Sequence, residues 1–325
     1  MLVARLGFRR LLVAALVLGS GISFAQGLLP SFGALLTLRL VEGSSYLAIV
    51  VAAPTLIAQL SPDRLRPLAM TLWGTFFGVS FAVVAILGLP LVTVAGPQSP
   101  FIAHENYMLS CSVLLIGIFP RQRALPADVH GRFSLRRVVR MHLTIYRSPF
   151  IAAPAIGWSF YTLTFVACLT LLPTLVAPDA RQTVAGLMPI AGIAVSMTFG
   201  VILMQWVQAY AVIMTGFSLA LLIALGFLAL PYDPVLCVLL LAVLGLVQGA
   251  SFASVPQLNA TDEGRAHANG AMAQTGNLGN SLGTPILLAI IALFGSNGVV
   301  VFLVAAFAAA LGAHFLMAAA RQRRF

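Results

Sequence analysis

The sequence contains no lysine, and only eight of its 325 residues are acidic. Charged residues of both signs make up 8% of the chain while 60% is hydrophobic, so it lacks the polar surface a water-soluble fold must present. Cysteine is scarce too: Cys111, Cys168 and Cys237 stand singly within apolar segments. Neither a disulfide framework nor a thiolate metal site fits that spacing, and the three read as small core residues. There is no glycine-rich loop to cradle phosphates, which disfavours an ATP-driven pump. The histidines, His104, His130, His142, His267 and His314, are scattered and have no second ligand at metal spacing. No cofactor is expected.

What the chain has in abundance is long apolar runs. In lipid every backbone N–H and C=O needs an internal partner, which leaves helices or closed barrels. The runs are about 20 residues long, rich in Leu, Ala, Gly and Val, and do not alternate at period two, so helices are expected. Ten spans can be drawn, at residues 11–29, 31–60, 67–95, 101–119, 148–176, 183–206, 207–230, 234–257, 265–294 and 297–320. The weakest break is Gln205-Trp206-Val207-Gln208. The expected fold class is an all-α integral membrane bundle of about ten transmembrane helices.

Arginine placement tests this count. With the N-terminus inside and the spans alternating, sixteen of the 18 Arg fall in cytoplasmic segments, Arg181 alone falls outside, and Arg39 lies within a span. Dropping or adding one helix spoils the asymmetry, so both termini are expected in the cytoplasm. The +10 net charge is then a topology signal, and nucleic acid is not an expected partner. A monomer in the plasma (inner) membrane is expected, in contact with membrane lipid.

Seven Arg lie in the one long polar segment, 120–147, which divides the chain into 1–119, the linker, and 148–325. Phe133 to Tyr146 alternates Arg with Val, Leu and Ile at helical spacing, as a helix on an anionic membrane surface would, but a solvated linker is the favoured reading over a regulatory or lipid-binding element. At the N-terminus, Arg5, Arg9 and Arg10, the run Leu11 to Ser23, and Ser23-Phe24-Ala25 before Gln26 imitate a cleavable signal. Because the apolar run continues through Leu29, an uncleaved first span is the expectation.

Arg5-Leu6-Gly7-Phe8-Arg9-Arg10 resembles the tail of the loop motif between the second and third helices of the major facilitator superfamily, with Ala4 at the motif's acidic position. Arg39-Leu40-Val41-Glu42-Gly43 resembles the family's fourth-helix motif, R-x-x-Q/E-G, one helix and a short loop later. Two further helices, the basic linker and six helices follow, so the whole chain is similar to a 6+6 facilitator whose first two helices are absent (4 + 6). The resemblance implies a secondary transporter of a small solute, working by alternating access and coupled, if at all, to H⁺. Two alternatives stay open: a truncated remnant that does not transport, and an intramembrane enzyme acting on lipid. The second lacks any cluster of nucleophile, base or metal ligands. The family's fifth-helix antiporter signature, G-x-x-x-G-P-x-x-G-G, is not reproduced at Gly74-Thr75-Phe76-Phe77-Gly78-Val79-Ser80, which weakens drug efflux and favours a symporter or uniporter.

Arg39 and Glu42 are the most informative residues. An ionisable group at membrane depth costs roughly 2.5–3.5 kcal/mol on insertion scales, so it faces a bundle interior or a wet cavity. Three residues apart on a helix, the two share a face that Gly43 and Tyr46 extend. Arg39 would attract an anionic group and Glu42 would exchange a proton; a structural ion pair is the competing reading. The span 265–294 is unusually polar, with Gln274 and Asn277 on one face beside Gly276, Gly279 and Gly283, which permit close helix approach. Polar residues there more often join helices than bind solute. From the resemblance, cavity-lining candidates are Trp158, Tyr161 and Thr162 in one span and Gln248 and Ser251 in another.

Overall fold

In the computed structural model, residues 8–62, 64–118 and 135–323 are described. Every regular element among them is helical. In chain order these are α1 (Phe8–Gly27), α2 (Phe32–Leu60), α3 (Arg66–Gly74), α4 (Phe76–Val83), α5 (Leu89–Ala95), α6 (Ser99–Ile118) and α7 (Leu135–Arg147). They continue as α8 (Ala152–Leu175), α9 (Arg181–Val195), α10 (Val201–Leu203), α11 (Ala209–Gly226), α12 (Pro234–Leu258), α13 (Asp262–Phe294) and α14 (Gly298–Gln322).

Eight helical stretches among the described residues are long and apolar enough to cross a membrane, and a bent pair, Leu68–Gly74 with Gly78–Gly88, makes up to nine. The last stretch, His267–Gln322, is 56 residues long and consists of two helices joined by a 3-10 turn at Gly295–Asn297. The turn needs glycine at Gly295, where φ is +59°, and at Gly298, where a Cβ would meet the Ile291 backbone at 2.5 Å. Taking these two helices separately, and the bent pair as one crossing, recovers the ten spans drawn from the sequence. The weak break at Gln205 to Gln208 is a turn, and Gln257 Oε1 accepts the Ala209 N–H at the start of α11 (2.9 Å). The sequence suggests one continuous span at 67–95, but the structure bends it by 46°. A π-helical turn, Val84–Gly88, follows the bend. Large apolar side chains such as Leu222, Leu293 and Phe315 stay exposed, as lipid-facing side chains must.

The chain forms two compact units. The first comprises Met1–Arg66 and Ile86–Phe133. Within it α1 packs against both α2 and α6. Small residues make this possible: a Cβ on Gly19 would meet Met108 Cε at 2.5 Å and Ser45 Oγ at 2.9 Å, and Ser45 Oγ donates to the Ala15 carbonyl (2.6 Å). Arg9 ties the ends of α1 and α6 by donating to the Ile116 carbonyl (2.8 Å). Arg5, Leu6 and Gly7 of the loop motif lie outside the described residues.

The second unit comprises Pro67–Ala85 and Ser134–Phe325. Its core runs along α8, α9, α11, α12, α13 and α14, with Phe217, Leu240, Leu244, Leu303 and Phe307 fully buried. Asp233 caps α12 by accepting from the Val235 and Leu236 N–H groups (2.9 and 3.0 Å), and Pro234 fits the first turn. Thr261 caps α13 through the Gly264 N–H (3.1 Å). The amphipathic linker segment is the helix α7, and the first part of the linker, residues 120–134, lies outside the described residues.

Candidate functional site

In the first unit one polar cluster draws on three helices. The i, i+3, i+7 spacing of α2 puts Arg39, Glu42 and Tyr46 on one face. The i, i+3, i+6 spacing of α1 does the same for Ser20, Ser23 and Gln26, and α6 contributes Phe101 and His104.

Glu42 sits at the centre. Its side chain is 2% exposed and accepts three hydrogen bonds. Arg39 and Gln26 Nε2 both donate to Oε2 (2.7 and 3.0 Å), and Tyr46 Oη donates to Oε1 (3.2 Å). A buried carboxylate is tolerable only when its lone pairs are met in this way. Arg39 is different: its side chain is 49% exposed, and its guanidinium lies 5.7 Å from the Phe101 ring centroid. The pair therefore has a closed acidic end and an open basic end.

Gln26 is 1% exposed, and its Oε1 has no hydrogen-bond partner among the described residues. Its amide carries donors and an acceptor, so Gln26 can donate to a Glu42 carboxylate or, after an amide turn, accept from a Glu42 carboxylic acid. Beyond Tyr46, His104 Nε2 lies 3.3 Å from Tyr46 Oη, and His104 Nδ1 lies 2.5 Å from Ser23 Oγ.

Arg39, Glu42 and Tyr46 are thus brought together. The other candidates all lie in the second unit. Trp158 and Tyr161 stack on each other (4.7 Å between centroids), Tyr161 stacks on Phe165, and all three rings are buried along α8. Thr162 donates to the carbonyls of Trp158 and Ser159 on its own helix and faces Gly279 of α13. Gln248 Nε2 donates to the Gly74 carbonyl, and Ser251 Oγ donates to the Val247 carbonyl (2.6 Å).

Gln274 reaches α7: its Oε1 accepts from Tyr146 Oη (3.4 Å), and its Nε2 lies 3.2 Å from His142 Nε2. Burial pushes the Tyr146 hydroxyl above its ordinary pKa, which keeps it a donor. Asn277 is exposed on α13, and its carbonyl accepts from Ser281 Oγ (2.8 Å).

Sequence reasoning did not find Gln26 or Ser23 as site residues, and it set His104 aside for want of a second ligand at metal spacing. The available signal was the three-residue step Ser20, Ser23, Gln26 on an otherwise apolar helix. The same residues also resemble a cleavage site.

The structure resembles solved transporters. It matches the E. coli fucose:proton symporter FucP with 12% identity and a TM-score of 0.71, covering 97% of this chain and 85% of that one. FucP in the outward conformation gives 13% identity and a TM-score of 0.70, with 96% and 83% covered. The human organic anion transporter MFSD10 gives 15% identity and a TM-score of 0.76, with 96% and 78% covered. At these identities the likeness concerns the fold. No curated protein matches the sequence. The profile of the Major Facilitator Superfamily, by contrast, matches residues 1–284, most of the chain and both Arg-containing motifs. The chain is a member of the Major Facilitator Superfamily, and so a multi-pass secondary transporter and not an enzyme.

Proposed function

We propose that this transporter carries a small anionic solute by alternating access, driven by protons that load Glu42. The observation that carries the reading is the asymmetry of the ion pair: a carboxylate 2% exposed beside a guanidinium 49% exposed. Protonating Glu42 removes the charge that Arg39 neutralises and releases Arg39 for a solute anion. By linkage, a bound anion on Arg39 favours the protonated acid to the same extent. Gln26 has the chemistry to bond either state of Glu42. The names of the structural relatives, a fucose:proton symporter and an organic anion transporter, agree with proton coupling and with an anionic solute respectively. Tyr46 and Phe101 would lie beside the solute at Arg39.

The test is uptake by the purified chain in proteoliposomes, screening small carboxylates, phosphates and neutral sugars with and without an imposed inward proton gradient. Gradient-driven accumulation of at least one anionic solute is expected. Accumulation only of neutral solutes, or of anions with no response to the gradient, would overturn the reading.

We further propose, from the arginine asymmetry, that both termini lie on the cytoplasmic side of the inner membrane. Fusing a reporter that is active only in the cytoplasm to either end is expected to give full signal from both. A signal from one end alone would mean an odd number of crossings.

A further inference from the structure

A line of hydrogen bonds leads from Glu42 to a second titratable group on another helix. Tyr46 Oη bonds Glu42 Oε1 (3.2 Å) and lies 3.3 Å from His104 Nε2, while His104 Nδ1 lies 2.5 Å from Ser23 Oγ. Elimination sets the directions. A carboxylate only accepts, so Tyr46 uses its hydrogen on Glu42 and turns its oxygen lone pairs to the imidazole. His104 Nε2 then carries the hydrogen of that contact, and in the neutral ring Nδ1 is left to accept from Ser23. In the neutral ring facing the ionised carboxylate, Ser23 thereby favours the tautomer whose Nε2 proton points down the line to Glu42; in the doubly protonated ring Nδ1–H donates to Ser23 Oγ and Nε2–H keeps that direction.

Exposure runs the same way. Glu42 is closed off at 2%, whereas Tyr46 is 41% exposed and His104 is partly exposed. The charges facing His104 from α2 are Arg39 and Glu42. Among the described residues, the other elements packed most closely on α6 are α1, which brings Ser20, Ser23 and Gln26 to this level, and α5, which has no titratable residue. On α6 itself Glu105, Tyr107 and Cys111 follow His104.

We propose that His104 is the proton-loading residue for Glu42, delivering protons through the Tyr46 hydroxyl while Ser23 holds the imidazole in register. This rests on Glu42 being the coupling group. In the step, doubly protonated His104 gives its Nε2 proton to Tyr46 Oη as Tyr46 gives its own to Glu42 Oε1. One N–H and one O–H bond break and two O–H bonds form. The imidazolium becomes a neutral ring with its hydrogen on Nδ1, donated to Ser23 Oγ, the carboxylate becomes a carboxylic acid, and Tyr46 is unchanged in composition. His104 Nε2 is reprotonated from water before the next transfer.

The experiment follows the carboxylic C=O infrared band of Glu42 in the full chain, in nanodiscs, after a rapid drop in pH. The band is identified by its loss in Glu42→Gln. His104→Ala and Tyr46→Phe are each expected to slow its growth about 100-fold, the low end of what positioned proton transfer contributes, without abolishing its final amplitude. Ser23→Ala should slow it less. Added imidazole should restore the rate in His104→Ala, which repair of a merely structural defect would not do. Should His104→Ala not fold, Tyr46→Phe carries the test, because it removes only the hydroxyl. Wild-type rates in Tyr46→Phe and His104→Ala, or no rescue by imidazole, would overturn the relay and leave Glu42 as the coupling group. If Glu42→Gln removes no band, Glu42 itself is not the coupling group and the relay falls with it.

Discussion

Transport by the Glu42→Gln variant is expected to lose all dependence on a proton gradient while solute binding survives. Glutamine has nearly the shape of glutamate, and its carbonyl oxygen still accepts from Arg39 and Gln26, so the packing of α1 against α2 should persist. Its amide nitrogen cannot take up a proton. Arg39 then faces a neutral partner permanently, as it does transiently in the protonated wild type, and an anion should bind more tightly. A coupling of ~1–3 kcal/mol corresponds to roughly 5- to 150-fold in affinity. The measurement is uptake with and without the gradient, together with binding of the anionic solute in detergent. Gradient-driven accumulation equal to wild type would remove Glu42 from the mechanism.

Arg39→Ala acts oppositely and separates the two roles. It leaves a carboxylate 2% exposed with only the neutral donors Gln26 and Tyr46. Removing one partner of a fully buried pair costs about 3–5 kcal/mol, and the half-exposed Arg39 puts this case at or below the low end. The single variant should therefore bind anions poorly and melt early. Adding Glu42→Gln to it should recover stability but not binding.

The spans could be read because lipid requires runs of apolar residues, and such runs are local in sequence. The Arg39 and Glu42 pair was legible for the same reason, being three residues apart on one helix. The rest of the cluster was not. Gln26 is 16 residues from Glu42, and Ser23 is 81 residues from His104, so only tertiary packing brings them together. The bend at Thr75 escaped because residues 67–95 are almost uniformly apolar and offer no boundary. Among the cavity candidates, Thr162 was suggested only by the family resemblance, with no local signal in the sequence. Its geometry in the second unit is helix-to-helix packing: Gly279 sits directly opposite.

Replacing Gly245 or Gly283 with alanine should lower the yield of folded protein more than the same change at Gly74, Gly270 or Gly312. In lipid there is little hydrophobic drive between helices, so close van der Waals packing holds them together. A Cβ on Gly245 would overlap the Gly192 carbonyl, and one on Gly283 would overlap the Leu163 carbonyl. Both obstacles are backbone, so no rotamer change relieves them; α12 must part from α9, or α13 from α8. Overpacking typically costs about 1–3 kcal/mol, and a backbone obstacle belongs at or above the top of that range. Gly74 forms a graded control, because its Cβ would meet the Phe252 ring at 2.9 Å, and a side chain can move. Gly270 and Gly312 have nothing within 4 Å, so alanine there should be silent. Thermal melts of the five variants should rank Gly245 and Gly283 lowest, Gly74 between, and Gly270 and Gly312 with the wild type. Equal melting of all five would show that the helices of the second unit are not held at the separation these carbonyls define.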